Sequence, residues 1–260
     1  PTQSRHLKSM LRPMPDTDQL PHALYRAEKV RALDRTAIED YGIPGAELMG
    51  RAGAAAYRLL RTRWPGARHL TILCGAGNNG GDGYVVARLC LLDGLSTDVL
   101  ALADPGSLSG DARAMADAYL AAGGSVRPFD VLPRRTDLIV DALLGTGLDR
   151  EVQGEWARAI AAANEHLAPK LAIDIPSGLQ ADTGRVLGVA VKADATISFI
   201  GLKQGLFTGE GPSCCGEIRF SALGVPAVVW TWTCKSSKNA TSSLPATLRN
   251  PCGVAEGWSA

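Results

Sequence analysis

Short apolar runs alternate along the chain with stretches of helical character. The runs are HLTILC (69–74), TDVLAL (97–102), DLIVDAL (137–143), KLAIDI (170–175) and ATISFIG (195–201). Between the first four lie helix-like segments near 82–93, 108–122 and 151–166. Strands that alternate with helices of this length build βαβ units, and so a mostly parallel sheet. The runs are almost continuously apolar, as strands covered on both faces must be. The expected fold is α/β, a single domain with no internal repeat.

Two helices precede the first strand. From Tyr25, residues Val30, Leu33, Ala37, Ile38 and Tyr41 are spaced for one buried face, and Gly42 and Pro44 end that helix. A second helix is expected from Ala46 to Arg61, closed by Trp64-Pro-Gly66. Residues 1–21 are polar and broken by Pro13 and Pro15, and read as a flexible leader. Residues 227–260 lack periodicity, are rich in Ser, Thr, Asn and Pro, and read as an irregular tail or linker. The domain is therefore expected over residues 22–226.

Composition removes several classes of function. The 260 residues are 46% apolar with a formal net charge of +1, which argues against a phosphate-backbone binder. No apolar run is long enough to span a bilayer, and Arg5, Lys8 and Arg12 are not followed by a signal-peptide core. Six cysteines form no C-x-x-C pair and the four histidines are scattered, so a zinc site has no support. Reduced cysteines in a cytoplasmic protein are the simplest reading.

In open parallel sheets ligands bind beyond the carboxyl ends of the strands. Three polar clusters fall there: GAGNNGGDG (75–83), Asp141 with Gly145-Thr146-Gly147-Leu148-Asp149, and Asp174-Ile-Pro-Ser177-Gly178. GAGNNG matches the G-x-G-x-x-G dinucleotide fingerprint. However, Asp98 comes too early and Asp104 too late to hold a ribose, and no Gly-Lys-Ser/Thr follows for a Walker loop. What remains is a run of glycines exposing backbone N–H groups at a helix start, suited to an anion, with side-chain oxygens from Asn78, Asn79 and Asp82. The plainer alternative is a tight turn that needs positive φ. Asp141 and Asp174 each sit in apolar sequence, where a carboxylate must be paired, hydrogen-bonded or cation-bound. Each either caps its following turn or serves as a cation ligand or acid/base group. Lys192 and Lys203 are available as countercharges, although lone lysines are more often solvated.

These motifs resemble the YjeF N-terminal domain, the NAD(P)H-hydrate epimerases. The resemblance is carried by GNNGGDG (77–83), VDALLGTGLDREVQG (140–154), IDIPSGLQADTG (173–184), ADATISFIGLKQGL (193–206) and the helical lead-in at 24–53. It implies a three-layer αβα Rossmann-like sandwich, a homodimer, and a substrate that is NADH or NADPH hydrated at C6 of the nicotinamide ring. The R and S hydrates would be interconverted for an S-specific, ADP- or ATP-dependent dehydratase. It further implies a phosphate-binding loop of Asn78, Asn79, Gly80, Gly81 and Asp82. Substrate contacts would come from Gly145, Thr146, Gly147, Leu148, Asp149, Arg150, Glu151 and Asp174. One potassium ion per subunit would lie on Asn79, Asp141 and Ser177, a set of hard oxygen donors. Asp174 is the expected acid/base group, held at an apolar strand end with a raised pKa. LPATLRNPCGVAEG (244–257) faintly resembles the junction to a fused dehydratase. The competing readings are a non-catalytic dimerisation module of the same fold, as in an mRNA-decapping scaffold, and a conventional NAD-dependent dehydrogenase. The second lacks the ribose acid and a hydride-site histidine.

Overall fold

A computed structural model describes residues 20–21 and 23–226. The expected leader up to residue 19 and the tail from 227 lie outside the described residues.

Strand β1 (Leu24–Tyr25) leads into helices α1 (Ala27–Glu39) and α2 (Gly45–Arg63). Then follow β2 (His69–Cys74), α3 (Asn78–Leu92), β3 (Ser96–Ala101), α4 (Gly110–Ala121) and β4 (Val126–Pro128). After these come β5 (Leu138–Ala142), α5 (Gly154–Glu165), β6 (Lys170–Ile173), β7 (Ala195–Phe199), β8 (Leu202–Lys203), the short α6 (Gly211–Cys214) and β9 (Glu217–Ser221).

Seven of the strands form one sheet in the order β4-β3-β2-β5-β6-β7-β9, and every pairing in it is parallel. Helices flank this sheet in a three-layer, Rossmann-like sandwich. The order reverses between β2 and β5. From β2 the chain steps outward through α3 and α4 to β4, then crosses back to β5 on the other side of β2. Right-handed crossovers place the helices on opposite faces on the two sides of that reversal. One face is closed by α5, whose Ala159, Ile160 and Ala163 pack with Leu73, Leu100 and Ile139 in a buried apolar cluster. On the α2–α3 side packing is close enough to need glycine: a Cβ at Gly53 would lie 2.4 Å from Val85 Cβ.

The five expected strands are all present. Those that the apolar pattern did not reveal are short or peripheral. β4 and β9 are the sheet edges, where one neighbour is missing and polar residues are tolerated. β1 and β8 form a separate parallel pair, Leu24 opposite Leu202 and Tyr25 opposite Lys203. In α1 the buried face is Ala27, Val30, Leu33 and Ala37. Ile38 and Tyr41 were expected on that face, yet both are 39% exposed. Tyr41 lies past the helix end, and Ile38 borders the cavity described below.

Candidate active site

A cavity of about 730 Å³ opens at the carboxyl ends of the strands, at the point where the strand order reverses. Its floor begins with the glycine loop. Gly75 follows β2, and its N–H donates to Ala142 O at 2.9 Å. A Cβ on Gly75 would lie 1.8 Å from Leu143 O, and one on Gly80 would lie 2.2 Å from Gly75 O. Gly81 packs as closely on Met49 Sδ, and Gly83 on Ala142 Cβ. None of these glycines has positive φ. They serve close approach of helix, loop and sheet, and not a left-handed turn.

That close packing explains why α3 starts at Asn78 and not near residue 82. Tertiary contact overrides the poor helix propensity of glycine. Gly77 caps the helix with no side-chain cap, and Gly81 N–H is the first to bond back, to Gly77 O at 3.2 Å. The N–H groups just before it are the unpaired donors of a helix N-terminus, which attract anions. Gly77 itself borders the cavity, and a Cβ there would meet nothing within 4 Å.

Asn79, Asp141 and Ser177, far apart in sequence, are knitted together behind this loop. Asp141 is fully buried. Its Oδ1 accepts from Ser177 Oγ at 2.6 Å and Leu143 N–H at 3.3 Å, and its Oδ2 accepts from Ser177 N–H at 2.8 Å. Burial still pushes its pKa up to about 6, against those hydrogen bonds. Leu144 N–H donates to Ser177 Oγ at 2.8 Å, and Asn79 Nδ2 donates to Leu144 O at 2.9 Å. Asn79 Oδ1 is buried with no hydrogen-bond partner. A buried amide oxygen left unpaired is destabilising, and it is a ready ligand for a cation. Asp141 thus caps the turn after β5, the simpler of its two expected roles, and also lies within a cluster of oxygen donors. Among the described residues no group of three or more His, Cys, Asp or Glu could hold a metal, so any cation here would rest mainly on neutral oxygens.

Asp174 ends β6 in the left-handed region, at φ 67°. The bond from Ile175 N–H to Ile173 O, 2.8 Å, closes a γ-turn of the rare positive-φ kind around it. Ile200 repeats the device after β7, with φ 58° and Gly201 N–H bonded to Phe199 O at 2.5 Å. Leu223 is the third non-glycine residue with positive φ among those described. All three line the cavity. Strain of this kind persists only where the surroundings over-determine it, and it concentrates at functional sites.

Asp174 was expected to be paired, hydrogen-bonded or cation-bound, with Lys192 and Lys203 as available countercharges. It is ion-paired, and to Lys203. The Lys203 ammonium, with no solvent exposure, donates to Asp174 Oδ1, to Ser198 Oγ at 3.0 Å and to Phe199 O at 3.3 Å. Phe199 N–H also donates to Asp174 Oδ1, at 3.3 Å. Of the two candidate lysines, Lys192 is the solvated one.

Four further carboxyls line the cavity with Asp174: Asp34 on α1 and Asp82 on α3, with the half-buried Asp111 on α4 and the exposed Asp149. Burial first, and then Asp174, push the Asp34 pKa up to about 6, opposed by Lys203, Arg35 and Arg31. Burial pushes Asp82 well above the ordinary carboxylate range, with Asp174 and Asp34 adding to the effect. Asp34 escaped the sequence reading because it sits mid-helix between Arg31 and Arg35, where an acid reads as a surface ion-pair partner. Asn78, Asn79 and Gly145 to Arg150 also border the cavity. Gly80 and Gly81 are packed away beneath the loop, and Glu151 is exposed outside the lining.

A doubly wound parallel sheet with a glycine loop and a nucleotide-sized cavity at its reversal point defines a Rossmann-like ligand-binding protein. The family described as YjeF-related protein N-terminus matches residues 45–205, and the chain belongs to it. It is 44% identical over 207 residues to the bifunctional NAD(P)H-hydrate repair enzyme Nnr of Escherichia coli, covering 79% of this chain and 40% of that protein. It is 38% identical over 192 residues to an NAD(P)H-hydrate epimerase of Limosilactobacillus fermentum, covering 74% of this chain and 92% of that one. The chain thus spans about two fifths of the bifunctional relative and nearly all of the shorter one. The crystal structure of the yeast protein YNL200c shares the fold, with a TM-score of 0.71 at 18% identity over 81% of this chain and 93% of that one.

Proposed function

We propose that this domain is an NAD(P)H-hydrate epimerase, an isomerase that interconverts the R and S forms of NADH or NADPH hydrated at C6. One observation carries the reading. The Asn79–Asp141–Ser177 cluster and the Asp174–Lys203 pair flank a single cavity, in a chain that covers nearly all of a relative bearing that name. A non-catalytic dimerisation module would have no use for a buried ion pair and several carboxyls on a cavity wall.

The unpaired N–H groups at the start of α3 suit the diphosphate of a dinucleotide, with Asn78, Asp82 and the 145–150 loop lining the same cavity. Asn79, Asp141 and Ser177 fit a potassium ion, because they offer oxygen donors, one formal charge and an orphaned buried amide oxygen. When bound, that ion would supply a fixed positive charge beside the buried Asp141 carboxylate. At the hemiaminal carbon the C–O bond must break and re-form with a proton moved each way and no net redox change. Asp174 serves as an acid/base group for this, since its Oδ1 is occupied by Lys203 and Phe199 N–H while its Oδ2 has no partner among the described residues.

The same reading has the protein act as a homodimer in a reducing cytoplasm, beside an S-specific dehydratase. Cys74, Cys90, Cys214 and Cys215 are buried free thiols, and among the described residues no helix is long and apolar enough to cross a membrane. The test supplies the purified protein with R-hydrated NADPH and an S-specific dehydratase. Cofactor recovery should greatly exceed the spontaneous epimerisation rate, and recovery at that rate overturns the proposal.

A further inference from the structure

We infer that Asp82 is the proton donor opposite Asp174, and that Lys203 is the positioning residue that commits Asp174 to accepting the proton. This rests on the epimerase reading and assigns the proton path within it.

The geometry divides the carboxyls. Lys203 has three N–H donors, and all are used on Asp174, Ser198 and Phe199. It cannot also reach a ligand, and among the described residues its only carboxylate partner is Asp174. The Asp82 side chain is 9% exposed, borders the cavity and makes no hydrogen bond or ion pair to any described residue. A buried carboxyl in that state is neutral, and therefore carries a proton to give. The charged groups that act on Asp82 are Asp174 and Asp34, which favour the neutral form, and Lys203, which opposes it and is already paired. Of the other carboxyls on the wall, Asp34 is only partly buried and has Arg31 and Arg35 as countercharges, Asp111 is only partly buried, and Asp149 is exposed. One carboxyl held in an ion pair and a second, buried and unpaired, on the same cavity are the arrangement of an assigned base and acid.

The step balances. Asp82 gives its proton to the C6 hydroxyl oxygen as the C6–O bond breaks, and the ring-nitrogen lone pair forms the N1=C6 bond of an iminium ion. Water leaves, and the new Asp82 carboxylate faces the new cation. Water then adds to the opposite face of C6, the N1=C6 pair returns to nitrogen, and Asp174 takes the proton. Proton return from Asp174 to Asp82 through cavity water resets the site.

The test measures kcat and KM against pH for wild type, Asp82→Asn, Asp82→Glu, Asp34→Asn, Lys203→Met and Lys203→Arg, in the coupled assay with R-hydrated NADPH. Asp82→Asn should lower kcat by about 100-fold or more with little change in KM, and remove the alkaline fall in kcat. Asp82→Glu should restore part of both. Lys203→Met should lower kcat and not KM, with partial rescue in Lys203→Arg. An infrared carboxylic-acid C=O band should persist at pH 8 in wild type, a measurement that needs no folded variant at position 82. Wild-type kcat and pH profile in Asp82→Asn, loss of the alkaline limb in Asp34→Asn instead, or absence of that band each overturns the assignment while leaving the epimerase reading intact. A wild type that shows the band but does not epimerise overturns the functional reading, and the proton path with it.

Discussion

The Lys203 ammonium is sealed from solvent and donates to Asp174, a residue whose own backbone is held left-handed at the end of β6. The two reach each other because consecutive parallel strands end in matching γ-turns, and the second turn swings Lys203 back beneath Ser198 and Phe199.

Removing one member of this pair should be worse than removing both. Asp174→Asn leaves a buried ammonium without its counterion, which should destabilise by about 3 kcal/mol. Adding Lys203→Met should recover much of that loss and none of the activity. Urea denaturation of both single variants and the double variant reads the coupling.

Asp34 makes stability depend on pH in an unusual direction. Its folded pKa is raised to about 6, so the folded state holds a proton that the unfolded chain releases at lower pH. Stability should be fullest below the ordinary carboxylate pKa and should fall as pH rises to about 6. The loss is on the order of 2–3 kcal/mol at 1.36 kcal/mol per unit. Asp34→Asn should flatten that part of the profile in denaturation curves taken between pH 4 and pH 8.

The glycine loop separates packing from binding. Gly80→Ala places a Cβ 2.2 Å from Gly75 O, a contact that only backbone movement relieves. It should destabilise by about 2 kcal/mol or more. Gly77→Ala enters open space at a helix cap and should change stability by no more than about 1 kcal/mol. It should weaken dinucleotide binding all the same, because the added methyl projects from the cavity wall. Thermal melts and binding titrations on the two variants should give opposite rankings.

A cation bound at Asn79, Asp141 and Ser177 should raise the thermal midpoint in potassium chloride above that in choline chloride at equal ionic strength. Asn79→Ala should abolish the difference. Equal midpoints in the two salts for the wild type would remove the ion from the proposal.

Most of the sheet was legible because doubly buried strands must be apolar throughout, and HLTILC or DLIVDAL allows little else. The short edge strand at Val126–Pro128 escaped because its residues are half-exposed and one is proline, which no interior strand accommodates. Asp141 and Ser177 stood out as polar residues bordering apolar runs, and they do meet. The pairing of Asp174 was legible only as a need for a partner, with Lys192 and Lys203 undistinguished. Lys203 follows an apolar strand as any surface lysine might, and only the turn at Ile200 shows that it points inward. Asp34 and the protonation state of Asp82 depend on what the fold brings near them, and no spacing rule carries that.

The Asp174 counterion is delivered by β8, whose partner in the separate two-stranded ladder is Leu24–Tyr25, near the start of the described chain. A ladder this short can open without disturbing the seven-stranded sheet. Its opening would unseat Lys203 and leave Asp174 without its cation while the cavity walls stood unchanged. The counterion thus depends on a ladder remote from the glycine loop, and amide exchange at Tyr25 and Lys203 reports how often that ladder opens.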